Sequence, residues 1–180
     1  MVVRELQARG AVAVGSIYWE AAVEKRDGRG ATTLFIAIEK GHLEVVRELL
    51  ARGAAVDAQT LVGATPLFIA SERGHLEVVI ELLARGAAVD SFLKPSVAYG
   101  VMGMGKEPWT VGATPLYAAS PFGYVRVVRA LLLRGAAVDK VSSSGDTPLS
   151  RAMLENRGDT ESLLRAAGAT NYWEKVGVCV

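Results

Sequence analysis

Apolar and polar positions fall into short periodic blocks along this chain, and the clearest runs over residues 63–90, GATPLFIASERGHLEVVIELLARGAAVD. Leu67, Ile69 and Ala70 make a first segment apolar on one side. Leu76, Val78, Val79, Leu82 and Leu83 form a wider stripe at helical spacing. The punctuation agrees with two helices. Thr65 can cap the first with its hydroxyl, and Pro66 sits in the first turn, where a missing N–H costs nothing. Gly74 can take the left-handed conformation that ends it. The second helix starts near His75 and stops at Gly86, and Ala87–Asp90 is expected to lead out extended. Glu81 and Arg85 stand four apart on its polar side, in the favourable order. A first helix of about eight residues is roughly 12 Å long and marginal alone. The pair has apolar surface on both flanks, so it needs neighbours.

The rest of the chain supplies them. Thr-Pro-Leu recurs at Thr65, Thr114 and Thr147, with Thr32-Thr33-Leu34 as a variant. The stop glycine recurs at Gly10, Gly53, Gly86, Gly135 and Gly168, and two of the intervals are 33 residues. In period, motif order and helix stops the chain resembles the ankyrin repeat, over roughly residues 27–169. The histidine that the family places after Thr-Pro-Leu is Phe35, Phe68, Tyr117 and Ser150 here. An aromatic ring is therefore expected to fill that inter-repeat space. The resemblance implies an all-α solenoid of stacked helix-turn-helix units with β-hairpin fingers or loops. Its divisions are a half-repeat at 1–14, a loop insertion at 15–26, repeats at 27–59 and 60–92, a finger insertion at 93–108, a repeat at 109–141, a degenerate repeat at 142–170 and a tail at 171–180.

The half-repeat VVRELQARGAVAV copies VVRELLARGAAVD of residues 45–57, so the first half of that unit is missing. Either the chain is a fragment of a longer array, the favoured reading, or this helix is an N-terminal cap. Gly10 to Gly53 spans 43 residues, with the excess in 15–30 around Ile17, Tyr18 and Trp19. Gly86 to Gly135 spans 49. That sixteen-residue excess carries Phe92, Leu93, Tyr99, Met102, Met104 and Trp109, while its prolines and glycines deny it a helix. Three readings are open: a partner-binding finger, a flap over the helices, or an insertion without a partner. Loop closure tolerates such a length at roughly a kcal/mol. Within it, Gly100 to Lys106 nearly matches a phosphate-binding loop, but Glu107 replaces the required Ser or Thr and no buried strand leads in.

The later repeats depart further. Pro121 should shorten the first helix of its repeat, and Phe122 beside it should be exposed. In the last repeat Gly158 to Gly168 is 10 residues, against 12 for Gly74 to Gly86, and a polar run over 155–162 replaces the apolar stripe, which suits an end repeat facing water.

Composition narrows the chemistry. Twenty basic and nineteen acidic residues give a net charge of +1, which argues against nucleic acid or an anionic membrane as partner. One cysteine, Cys179, excludes an intrachain disulfide and fits a reducing, intracellular compartment, cytoplasmic or nuclear. No apolar run of about 18 residues suggests a membrane span. His42 and His75 are the only histidines, each opening a second helix with no nucleophile at a useful spacing. They are expected to stabilise turns. No catalytic residue, metal ligand or cofactor is expected. The resemblance implies a monomeric protein-interaction module or scaffold. An array that regulates or targets an enzyme encoded beyond this chain is the alternative. In the family pattern the recognition positions fall on Asp27, Arg29, Glu39, Lys40, Gln59, Leu61, Val62, Glu72, Arg73, Phe92, Trp109, Val111, Phe122, Val141, Ser143 and Asp146. Tyr99 and Met102 of the insertion join them.

Overall fold

The computed structural model describes residues 25–93 and 111–170. The half-repeat, the loop at 15–24, most of the long insertion and the tail lie outside this range. Among the described residues the chain forms eight α-helices in four pairs: α1 (Thr33–Glu39) with α2 (Leu43–Ala51), α3 (Pro66–Glu72) with α4 (Leu76–Ala84), α5 (Pro115–Ala119) with α6 (Val125–Leu133), and α7 (Pro148–Leu154) with α8 (Gly158–Ala166). Each first helix packs on the next first helix, and each second helix on the next second helix. Their buried faces merge into one continuous apolar cluster, in which Leu34, Leu49, Leu67, Leu82, Leu116, Leu131, Leu149 and Leu164 are sealed from water.

The first helices start as the Thr-Pro motif requires. Thr32, Thr65, Thr114 and Thr147 each accept the N–H three residues on, from Phe35, Phe68, Tyr117 and Ser150. Ser150 completes a capping box by accepting the Thr147 N–H. Phe35, Phe68 and Tyr117 are buried, so the rings do fill the space between repeats. The second helices start differently: none of their N-cap residues, His42, His75, Tyr124 and Arg157, makes a side-chain cap bond. His75 instead packs on the turn of the preceding repeat, its Nε2 buried without a hydrogen-bond partner among the described residues. Its imidazole lies where a Cβ on Gly41 would meet it at 2.8 Å. Tyr124 covers Gly74 at the same distance, and the Arg157 side chain covers Gly123.

A second ladder links the repeats on the other side of the helices. Asp57 accepts the Ala88 N–H at 3.1 Å, Asp90 the Ala137 N–H at 3.0 Å, and Asp139 the Thr170 N–H at 2.9 Å. These aspartates sit just after the stop glycines. The Ala87–Asp90 segment is accordingly a turn, closed by Ser91 N–H on the Ala88 carbonyl, and not the extended lead-out expected.

Two further expectations change. Leu93 belongs to the framework and not to the insertion. It is 1% exposed, its N–H donates to the Ala113 carbonyl, and its carbonyl accepts from Gly112. Thr60 makes the same pair of bonds with Ala64 and Gly63. The described framework therefore runs to Leu93, at a finger tip, and resumes at Val111. In the last repeat the left-handed turn residue is Asn156, with φ 54°, not Gly158. Asparagine is one of the few residues that adopt this conformation. From Asn156 to Gly168 the interval of 12 is restored, and α8 has the same nine residues as α2, α4 and α6.

Pro121 acts as expected. It has no N–H to extend the helix, so α5 is five residues long and Ser120–Phe122 tighten into a 3-10 turn. The fingers are tight turns: among the described residues the β structure is one isolated antiparallel bridge, Arg26 to Thr32.

Candidate functional site

The exposed edge of the stack has two rows. One follows the finger tips, the other the C-terminal ends of the first helices. Residues in register along the finger row are Arg26, Gln59, Phe92 and Val141, and along the helix-end row Glu39, Glu72, Pro121 and Leu154.

In repeats 1 and 2 the rows join in one charged network. Asp27 accepts the N–H groups of Arg29 and Ala31 and the Arg29 guanidinium at 3.0 Å. Slight burial opposes ionisation of Asp27, but these donors outweigh it and hold the carboxyl below its ordinary value. Arg29 is pushed up, chiefly by its bond to Asp27. Arg29 also reaches Glu39 at 3.4 Å, and Arg73 approaches the other oxygen of Glu39 at 3.7 Å and Glu72 at 4.0 Å. Asp27, Arg29, Glu39, Glu72 and Arg73 are thus contiguous, although the sequence spreads them over two repeats. Lys40 is exposed beside them, at the C-cap of α1.

Gln59 is half-buried, and its carbonyl accepts from Arg26 at 2.7 Å. Leu61 projects at 59% exposure, with its N–H on the Arg29 carbonyl. Val62 does not belong to the exposed set. It is 6% exposed because successive residues of the Thr60–Ala64 turn point opposite ways, Leu61 to water and Val62 into the core.

From Phe92, at the end of repeat 2, onward through repeats 3 and 4 the same rows turn apolar. Phe92 is half-exposed, with the Lys140 ammonium 5.7 Å from its ring centre. Phe122 is exposed and stacks on Tyr124, the ring centres 5.6 Å apart. Val141 and Leu154 are exposed. Val111 is half-buried and accepts the N–H of the exposed Ser143 at 2.7 Å, and Asp146 accepts the Ser144 hydroxyl. Tyr99, Met102 and Trp109, with the Gly100–Lys106 near-match, lie outside the described residues.

Arg26, Lys140 and Leu154 escaped the sequence reading. Arg26 and Leu154 could have been found by carrying Gln59 and Glu72 to the same register in other repeats. Lys140 offers no such signal. Among the described residues, no group of three or more His, Cys, Asp and Glu side chains could hold a metal ion, and no helix is long and apolar enough to cross a membrane.

Paired short helices, a shared core and inter-repeat ladders define a helical-repeat solenoid. The chain belongs to the ankyrin-repeat family: the family model "Ankyrin repeats (3 copies)" matches residues 4–92, and the model "Ankyrin repeat" matches residues 111–143. Such repeats generally mediate protein–protein interactions. No curated protein matches the chain.

Proposed function

We propose that this chain is a non-catalytic, monomeric protein-binding module that grips one partner protein along the finger tips and first-helix ends. The observation that carries the reading is the change of chemistry along both rows. Arg26 and Gln59 give way to Phe92 and Val141, while Glu39 and Glu72 give way to Pro121 and Leu154. The leucines of the shared core recur in every repeat, so packing of the stack does not demand the change along its edge. Exposed rings near one another favour protein contact. The partner then offers polar and charged groups toward repeats 1 and 2 and an apolar face toward repeats 3 and 4. A net charge of +1 supports a protein partner over nucleic acid. The lone cysteine supports an intracellular setting.

The test is affinity capture with two variants of equal stability. Replacing Phe92, Phe122 and Leu154 together by Ala should abolish capture, and Ile80→Arg, on the second-helix side, should leave it intact. The opposite pattern would move recognition to the second helices and refute the proposal.

A further inference from the structure

Glu72 stands out among the ionisable groups. Its side chain is 12% exposed, and its Oε2 is shut off from solvent with no hydrogen-bond donor among the described residues. The nearest cation is Arg73, at 4.0 Å and shared with Glu39 of the preceding repeat. Two carboxylates on successive repeats thus divide one guanidinium between them; Glu39 lies nearer to it, at 3.7 Å, and has Arg29 as a second partner, whereas Glu72 has no other among the described residues. We propose that Glu72 is a proton switch at the joint between repeats 1 and 2, neutral when the joint is tight and charged when it loosens.

Of the titratable groups on the elements packed around Glu72, Arg73 and Glu39 act on it directly. α1 brings Glu39, and the turn after α3 holds Arg73 and His75, whose Nε2 is buried without a hydrogen-bond partner among the described residues. The turn of repeat 3 brings the Tyr124 phenol onto Gly74, and α5 brings only Tyr117. On α4, Glu81 is engaged by Arg47 and Arg85, and Glu77 is exposed. Burial pushes the Glu72 carboxyl up to about 7. Arg73 opposes the shift and Glu39 adds to it. The folded value lies above the unfolded one, near 4.5. Hence the stabilisation is complete below about 4.5 and is lost as pH rises through about 7.

If the recognition reading also holds, the switch changes by one the charge offered to a partner at Glu39–Lys40–Glu72–Arg73. The titration itself needs no partner, so the two readings fail separately. The direct experiment follows the Glu72 carboxyl carbon by NMR in the unbound chain. A midpoint within one unit of 7 is expected, moving down in Glu39→Gln and up in Arg73→Gln. A midpoint below 5 overturns the proposal. Urea unfolding gives a second readout: the wild-type midpoint should fall as pH rises from about 4.5 to about 7 and level off above it, and Glu72→Gln should remove most of that fall. An equal fall in both chains would also overturn the proposal, and if Glu72→Gln does not fold the titration decides alone.

Discussion

The edge at the first-helix ends of repeats 1 and 2 is lined with ion pairs, whereas from Phe92 onward, through repeats 3 and 4, the edge carries rings, a proline and aliphatic side chains. Beneath that difference the framework is shared: Leu82 of α4 and Leu131 of α6 are both 0% exposed, and the aspartate ladder runs through both halves. Core positions answer to their neighbours in the stack, which are the same everywhere. Edge positions answer to something outside it. The two halves therefore carry different surfaces on one support.

Core truncation gives the largest effect and tests the shared support. Leu82→Ala and Leu131→Ala should each cost about 2–5 kcal/mol in denaturant unfolding, and similarly to one another. A loss below about 0.5 kcal/mol in either would mean that its repeat does not stack as described. The turn glycines come next and separate the halves. A left-handed alanine costs about 1–2 kcal/mol at Gly74 or Gly123, whose φ values are 71° and 72°. At Gly74 the new methyl also meets the Tyr124 ring at 2.8 Å, and such overpacking typically costs about 1–3 kcal/mol more. At Gly123 it meets only the flexible Arg157 stem, at 3.0 Å. Gly74→Ala should melt well below Gly123→Ala, and equal melting temperatures would show that the ring swings aside.

Smaller effects sharpen the contrast. Thr160 stands in register with Val78 and Val127, fully buried, its hydroxyl without a hydrogen-bond partner among the described residues. Thr160→Val should stabilise repeat 4 by about 1 kcal/mol in urea unfolding, by removing an unmet hydroxyl. A loss of stability would mean that the hydroxyl is satisfied in solution. Smallest is Glu39→Gln, expected to shift stability by under about 1 kcal/mol, because Arg29 and Arg73 are partly solvated. Repeating the measurement in high salt should shrink even that. A larger loss would make the ion pairs part of the support and blur the division between edge and framework.

The helix pairs, their caps and the stacked core were legible in sequence because each follows from local spacing: Thr-Pro starts, stop glycines and apolar stripes. The misread features each required geometry. Reading turns by glycine alone hid Asn156, which takes the same left-handed conformation and restores the period. Leu93 looked like insertion because an apolar residue beside a long excess carries no mark of its hydrogen bonds to Ala113 and Gly112. Val62 and Leu61 are adjacent and both apolar, and only the turn decides which faces water. The charged network was legible residue by residue but not as a network, since Arg29, Glu39 and Arg73 meet across a repeat boundary. The recurring Asp57, Asp90 and Asp139 were visible as letters, but their bonds to the following repeat were not.

Those three aspartates have a consequence for how such an array can grow. Each accepts a backbone N–H of the next repeat, a group that nearly every residue supplies. A unit copied in tandem arrives with its fastener already matched to whatever follows, and no side chain downstream has to change first. The second-helix segments GHLEVVRELLARGAAVD and GHLEVVIELLARGAAVD differ at one position and carry the same fastener, Asp57 and Asp90. A fastener of this kind leaves the surface of each copy free to differ while the joint stays interchangeable.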